Sequence, residues 1–224
     1  SEADMVALSQ TTRHVAGLPG QGGDPGPYTA RGVFLGVKAA AQKALGVDTV
    51  KGVHVAVQGV GSVGGGLARY LAAEGAQLTL ADVDPAKAQA LADELGGQAV
   101  DSDAILSIEA DVFSPCALGA VITTQTANEL KVTAVAGGAN NQLAIGPEGR
   151  ILADRGILYA PDYVINAGGI INVMRVIENA DDAAVNARIA EIPSRLNAIW
   201  ERAEAEGDTP AEVADRMARE LIGR

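Results

Sequence analysis

The sequence predicts an α/β protein, a doubly wound, mostly parallel sheet followed by C-terminal helices. Three observations predict it. Short aliphatic runs recur at Val53–Val57, Gln77–Leu80, Gln98–Val100, Asp111–Phe113, Val132–Ala136 and Gly156–Tyr159, with segments of helical pattern among them. Such repeated β-α alternation builds a parallel sheet covered on both faces. The chain is 48% hydrophobic but only 3% aromatic, so its core is made of Ala, Val, Leu and Ile. Finally, Gly59-Val60-Gly61-Ser62-Val63-Gly64 falls between the first strand and the helical run Val63–Ala73, where a doubly wound sheet turns sharply from strand to helix.

Residues 1–27 form a leading segment, with a short helical pattern at Met5 and Leu8 and a Gly/Pro-dense loop from Gly17 to Pro27. Residues 28–178 hold the α/β pattern. Thr29 is a candidate cap for a long helix that Gly46 ends, with Val33, Val37, Ala40 and Ala44 on its apolar face. Pro85 opens a helix ending at Leu95, a first-turn position where its missing N–H costs nothing. Shorter helices follow at Thr123–Leu130 and Pro147–Asp154. The pattern after Asp162 is helical throughout: Asn166–Glu178, then, within the C-terminal segment 179–224, Ala183–Glu206 and Pro210–Ile222. Pro193 is expected to kink the second, and Thr209 is a candidate cap for the third.

The glycine turn has a physical reading at each position. Gly59 allows the turn, Gly61 lets backbone approach a pyrophosphate, and Gly64 lets helix pack close to strand. The helix start at Ser62 and Val63 offers free amides and partial positive charge to phosphates. Asp82 ends the next apolar run, 23 positions after Gly59. This order of strand, turn, helix, strand and acid is that of a Rossmann-like dinucleotide site. A carboxylate there accepts from ribose hydroxyls and repels a 2′-phosphate, and no arginine is near, so NAD is favoured over NADP. The alternative for Asp82 is a cap on the Pro85 helix, a role Asp84 fills better.

Bulk properties exclude several classes. The net charge of −11 argues against nucleic acid and anionic membranes as partners. No apolar run approaches the roughly 18 residues a membrane helix needs. A single cysteine allows no internal disulfide, and Glu2, Asp4, Arg13 and His14 do not suit a signal peptide, so a cytoplasmic location is expected.

Other residues are less decisive. Cys116 and Ala117 follow a strand and so border the crevice; no base is adjacent to Cys116 in sequence, which favours a small buried thiol over a nucleophile. Asn140 lies in a small-residue turn that pattern alone reads as structural. Gly168 and Gly169 after Asn166 imply close approach of either a packed helix or a ligand ring. His14 and His54 lack a partner at metal spacing, so both read as structural and no metal is expected. Trp200 reads as packing.

Taken together, Asp24–Val33, Val57–Gly61, Asp111–Gly119, Gly138–Gln142 and Leu158–Gly169 resemble the cofactor domain of the dehydrogenases acting on glutamate, leucine, phenylalanine and valine. The likeness runs over nearly the whole chain and is greatest to leucine and phenylalanine dehydrogenases. The resemblance implies NAD as cofactor, with Thr29 at the nicotinamide carboxamide and Asn166 at the nicotinamide end, so that Gly168 and Gly169 face the cofactor. It implies backbone of Cys116 and Ala117 along the nicotinamide ribose, Asp82 and Val83 at the adenosine ribose, and Asn140 beside both cofactor and substrate. Val164 and Ile170 fall where such enzymes line the substrate side-chain pocket.

The resemblance also implies what is not among these residues. The family's catalytic lysine follows a glycine-rich run in an amino-terminal substrate domain that also holds a catalytic aspartate. No Gly-Gly-Gly-Lys run occurs here, so no catalytic residue is assigned to this chain. The expectation is the cofactor half of an amino-acid dehydrogenase, inactive alone, taking amino acid or 2-oxo acid only with its other domain and compatible with a homo-oligomer at full length. A stand-alone NAD-binding or sensing module is the alternative.

Overall fold

The computed structural model describes residues 2–12, 15, 24–178 and 180–223. His14 and the Gly17–Gly23 part of the predicted loop lie outside the described residues. Six strands form one parallel sheet: β1 His54–Gln58, β2 Gln77–Ala81, β3 Gln98–Ala99, β4 Val112–Pro115, β5 Ala134–Val135 and β6 Leu158–Tyr159. Their order is β3-β2-β1-β4-β5-β6. Val55 aligns with Leu78 on one side and Val112 on the other, so β1 and β4 are neighbours between which the winding reverses. Ligands of such sheets bind outside the carboxyl ends at that point.

The helices are α1 Glu2–Ser9, α2 Gly26–Leu45, α3 Ser62–Ala73, α4 Pro85–Leu95, α5 Thr124–Glu129, α6 Glu148–Asp154, α7 Asp162–Ile165, α8 Gly168–Glu178, α9 Asp182–Ile189, α10 Ile192–Glu206 and α11 Pro210–Ile222. Strand alternation sorts the core into two layers. Val55 and Val57 face α2, α3 and α10 through Val33, Leu67, Leu71 and Leu196. Ala56 and Phe113 face α5 and α6 through Ala127 and Leu152. Trp200 is buried in the first layer and donates its indole N–H to Tyr159 O at 2.9 Å, as packing requires of a buried indole. His54 Nε2 lies 2.8 Å from Thr79 Oγ1, a structural contact within the sheet.

Several local expectations change in the fold. Thr29 is not the cap of α2. The helix begins three residues earlier, where Asp24 Oδ1 accepts from Gly26 N–H at 2.8 Å, and Thr29 Oγ1 donates back to Pro25 O at 3.0 Å. Pro193 does not kink a long helix. The chain breaks into α9 and α10, and Pro193 occupies the first turn of α10, where no amide is needed. Asn166 ends α7 instead of opening α8. The caps at Asp84 and Thr209 form as expected, the second as a reciprocal capping box with Glu212.

Candidate functional site

The glycine turn sits at the carboxyl end of β1, at the reversal point. Its three glycines are glycine for different reasons. Gly59 has φ +88° and its Cα faces Ala117, so a Cβ there would lie 2.8 Å from the Ala117 Cβ. A Cβ on Gly64 would lie 1.8 Å from Gly59 O and 3.0 Å from the Cys116 Cβ, so α3 can approach the turn only without a side chain. Gly61 differs: its φ is −69° and a Cβ would meet nothing within 4 Å. Neither conformation nor packing demands glycine at 61, which leaves a bare, accessible backbone at the start of α3. The first helical bond there is Gly65 N–H to Gly61 O at 2.8 Å, so the amides of Ser62, Val63 and Gly64 are the unpaired donors of a helix start.

Asp82 follows β2 and turns back to this loop. Its Oδ2 accepts from Val60 N–H at 2.8 Å and its Oδ1 from Asp84 N–H at 3.0 Å. Partial burial pushes its pKa up, but the amides of Asp84, Val60 and Val83 together with the charge of Lys87 outweigh this and hold the carboxyl below its usual range. Asp84, not Asp82, caps α4 by accepting from Ala86 and Lys87 amides. Asp82, Gly59, Val83 and Ala117 line one cleft of about 260 Å³, with Val83 87% exposed at its rim.

From the turn a continuous row of small groups runs along the sheet edge. Cys116 packs on Gly64, and its Sγ accepts from Gly138 N–H at 3.5 Å. Loss of solvent pushes the Cys116 thiol up despite that amide and Ser114, which disfavours the reactive thiolate. A Cβ on Gly138 would lie 2.7 Å from Val63 Cγ1, so the turn after β5 abuts the helix start. Asn166 Nδ2 then donates to Gly138 O at 3.3 Å and to Asn140 Oδ1 at 2.6 Å. Two asparagines 26 positions apart are therefore paired at the far end of the row.

The close approach at Gly168 and Gly169 is that of a packed helix. A Cβ on Gly168 would lie 2.1 Å from Tyr28 O, and one on Gly169 would lie 2.6 Å from Thr29 Oγ1, so the doublet exists for the contact of α8 with the start of α2. That contact nevertheless carries Thr29 to the neighbourhood of Asn166. Val164 and Ile170, with Ala167 beside Asn166, line an apolar groove of about 770 Å³ bordered by α10 and α11, where Val164 packs on the cluster of Ile199, Val213 and Ala214. Among the described residues no group of His, Cys, Asp and Glu is placed to hold a metal, and no helix is long and apolar enough to cross a membrane.

Two supporting residues had no sequence signal of their own. Asp24 Oδ2 accepts from Ser62 Oγ at 2.8 Å and so ties the start of α2 to the start of α3. Gln142 is fully buried beneath the Asn140 turn. A glutamine directly after an Asn-Asn turn is the one hint that could have found it.

Fold and site together define a Rossmann-like α/β protein with its crevice at the reversal of strand order. The chain belongs to the glutamate/leucine/phenylalanine/valine dehydrogenase family, whose model matches residues 82–220. It is 42% identical to the leucine dehydrogenase of Thermoactinomyces intermedius over 98% of this chain and 61% of that protein. It is 40% identical to the L-tryptophan dehydrogenase of Nostoc punctiforme over 98% of this chain and 62% of that one. The crystal structure of L-tryptophan dehydrogenase from Nostoc punctiforme superposes with a TM-score of 0.86 at 41% identity, covering 90% of this chain and 62% of that chain. A hetero-hexameric glutamate dehydrogenase from Thermus thermophilus, 22% identical with a TM-score of 0.70 over 95% of this chain and 58% of its own, shares the fold. This chain thus spans about 61% of the length of the curated relatives it matches.

Proposed function

We propose that residues 28–178 form the NAD(H)-binding domain of an enzyme that oxidatively deaminates an aliphatic or aromatic L-amino acid to the 2-oxo acid and ammonia, with the helices of 179–224 packed on it. The bare backbone of Gly61 and the amides of Ser62, Val63 and Gly64 hold the pyrophosphate. Asp82 accepts from the ribose hydroxyls, with Val83 and Ala117 on the walls of the same cleft, and its charge disfavours a 2′-phosphate. Cys116 presents backbone along the crevice. Thr29, Asn140 and Asn166 hold the nicotinamide end, Asn140 also reaching substrate, and Val164 lies toward the substrate side chain. The cofactor, when bound, supplies the hydride acceptor. This chain's residues orient it and leave the acid–base work to a lysine and an aspartate of a separate domain.

The observation that supports this most is the unbroken row from Gly64 through Cys116 and Gly138 to the Asn140–Asn166 pair. A dinucleotide has a phosphate centre and a distant ring, and the row offers free amides at one end and side-chain amides at the other. Calorimetric titration with NAD and NADP tests the reading. Binding of NAD with much weaker NADP is expected, and no binding of either would overturn it. Turnover of leucine, valine or phenylalanine by this chain alone would refute the assignment of the acid–base groups elsewhere.

A further inference from the structure

The turn between Gly137 and Leu143 contains a buried polar group used by no role described above. Gln142 is 0% exposed, an environment in which an amide side chain needs every hydrogen bond it can make. Its Nε2 donates to Gly137 O at 2.7 Å and Ala139 O at 3.0 Å. Its backbone N–H donates to Asp162 Oδ2 at 3.2 Å. Its Oε1 has no partner among the described residues. Reversing the amide is no remedy, because an oxygen would then face two carbonyls. Methionine, of similar length and shape, would bury no lone acceptor but would leave the carbonyls of Gly137 and Ala139 without their donor. The unpaired oxygen therefore does not account for glutamine here.

Geometry does account for it. The two carbonyls that Nε2 grips bracket Gly138, whose own carbonyl accepts from Asn166, and the second of them immediately precedes Asn140. We infer that Gln142 is a positioning residue for the nicotinamide end: by clamping Gly137 and Ala139 it fixes the turn so that Asn140 and Asn166 stay paired at the end of the crevice. The inference rests on reading that crevice as an NAD site.

The test is Gln142→Met, titrated with NAD and with ADP-ribose, which is NAD without its nicotinamide and reads only the other end of the crevice. A melting curve accompanies each titration. The expected result is NAD binding weakened about tenfold, the scale of one lost net hydrogen bond to the ring end, with ADP-ribose affinity kept and the melting temperature lowered by a few degrees for the two carbonyls left without a donor. Gln142→Glu preserves the shape but turns a carboxylate on the two carbonyls, and the same selective loss is expected. Unchanged NAD affinity, or equal loss for both ligands, would overturn the inference, as would failure of both variants to fold, which would make Gln142 a structural residue. A wild-type chain that binds neither ligand, or both equally, would instead refute the cofactor reading and the inference with it.

Discussion

Replacing Gly61 by alanine separates the cost of binding from the cost of folding, because the structure gives that glycine no role in folding. Its φ of −69° suits any L residue, and an added Cβ meets no atom within 4 Å. The substitution should leave stability within about 0.5 kcal/mol, or raise it by up to about 1 kcal/mol by restricting the unfolded chain. In the proposed NAD site the methyl group would stand on the face that phosphate oxygens approach. Displacing them by a few tenths of an ångström from the amides of Ser62 and Val63 weakens charge-assisted hydrogen bonds that contribute about 1.5–3 kcal/mol each. NAD affinity should therefore fall at least about tenfold, or about 1.4 kcal/mol. Gly64→Ala is the control with opposite character. Its Cβ would lie 1.8 Å from Gly59 O, a backbone atom that can move only if α3 does, so the cost in stability is about 1–3 kcal/mol or more. Thermal melts and NAD titrations of both variants decide the matter. A Gly61→Ala protein that melts like wild type and binds NAD equally well would refute the assignment of that backbone to phosphate.

Three further outcomes are expected. Asp82→Asn should narrow the preference for NAD over NADP in titrations. Because the native carboxyl is held below its usual range, its ionised form stabilises the fold above the unfolded-state value of about 4, so the wild-type advantage in urea melts should shrink as pH falls through and below that value. The Cys116 thiol, pushed up by loss of solvent, should react with a disulfide reagent at neutral pH more slowly than free cysteine, and NAD should slow it further; a fast, cofactor-insensitive reaction would contradict its place beside the crevice. Gly168→Ala should lower the melting temperature by several degrees, since its Cβ would lie 2.1 Å from Tyr28 O; an unchanged melt with lost NAD binding would restore the doublet to the cofactor.

Much of the fold was legible because its signals are local. Alternation of aliphatic runs with helical segments gives the six strands, the glycine turn gives the helix start, and Asp84, Pro85 and Thr209 announce their caps within four residues of the helices they begin. The misreadings fall where a local pattern fits more than one structure. Thr29 looks like a cap, but α2 begins earlier, with Pro25 at its N-cap and no side-chain cap, and the α9–α10 break at Ala190 and Glu191 is invisible to a helical period that continues across it. Gly168-Gly169 is compatible with a ligand or a helix, and only the distance to Tyr28 O separates them. Gln142 reads as a polar loop residue, because no pattern records that its carboxamide points inward against two carbonyls.

The same contacts explain why α2, a helix outside the glycine turn, bears on the candidate site. Gly26 abuts Ser62 so tightly that a Cβ would lie 1.9 Å from its hydroxyl oxygen, and Asp24 bonds that hydroxyl. One turn on, Ala30 meets Gly66 of α3, where a Cβ would lie 2.8 Å away, while Thr29 meets Gly169 of α8. The neighbours are short side chains in these three approaches and backbone where Gly168 meets Tyr28 O. A single helix, α2, thereby links the start of α3 to the segment that carries Asn166. Small residues at 26, 66, 168 and 169 let α2 approach both α3 and α8, and close approach to a helix leaves the same signature in a sequence as close approach to a ligand.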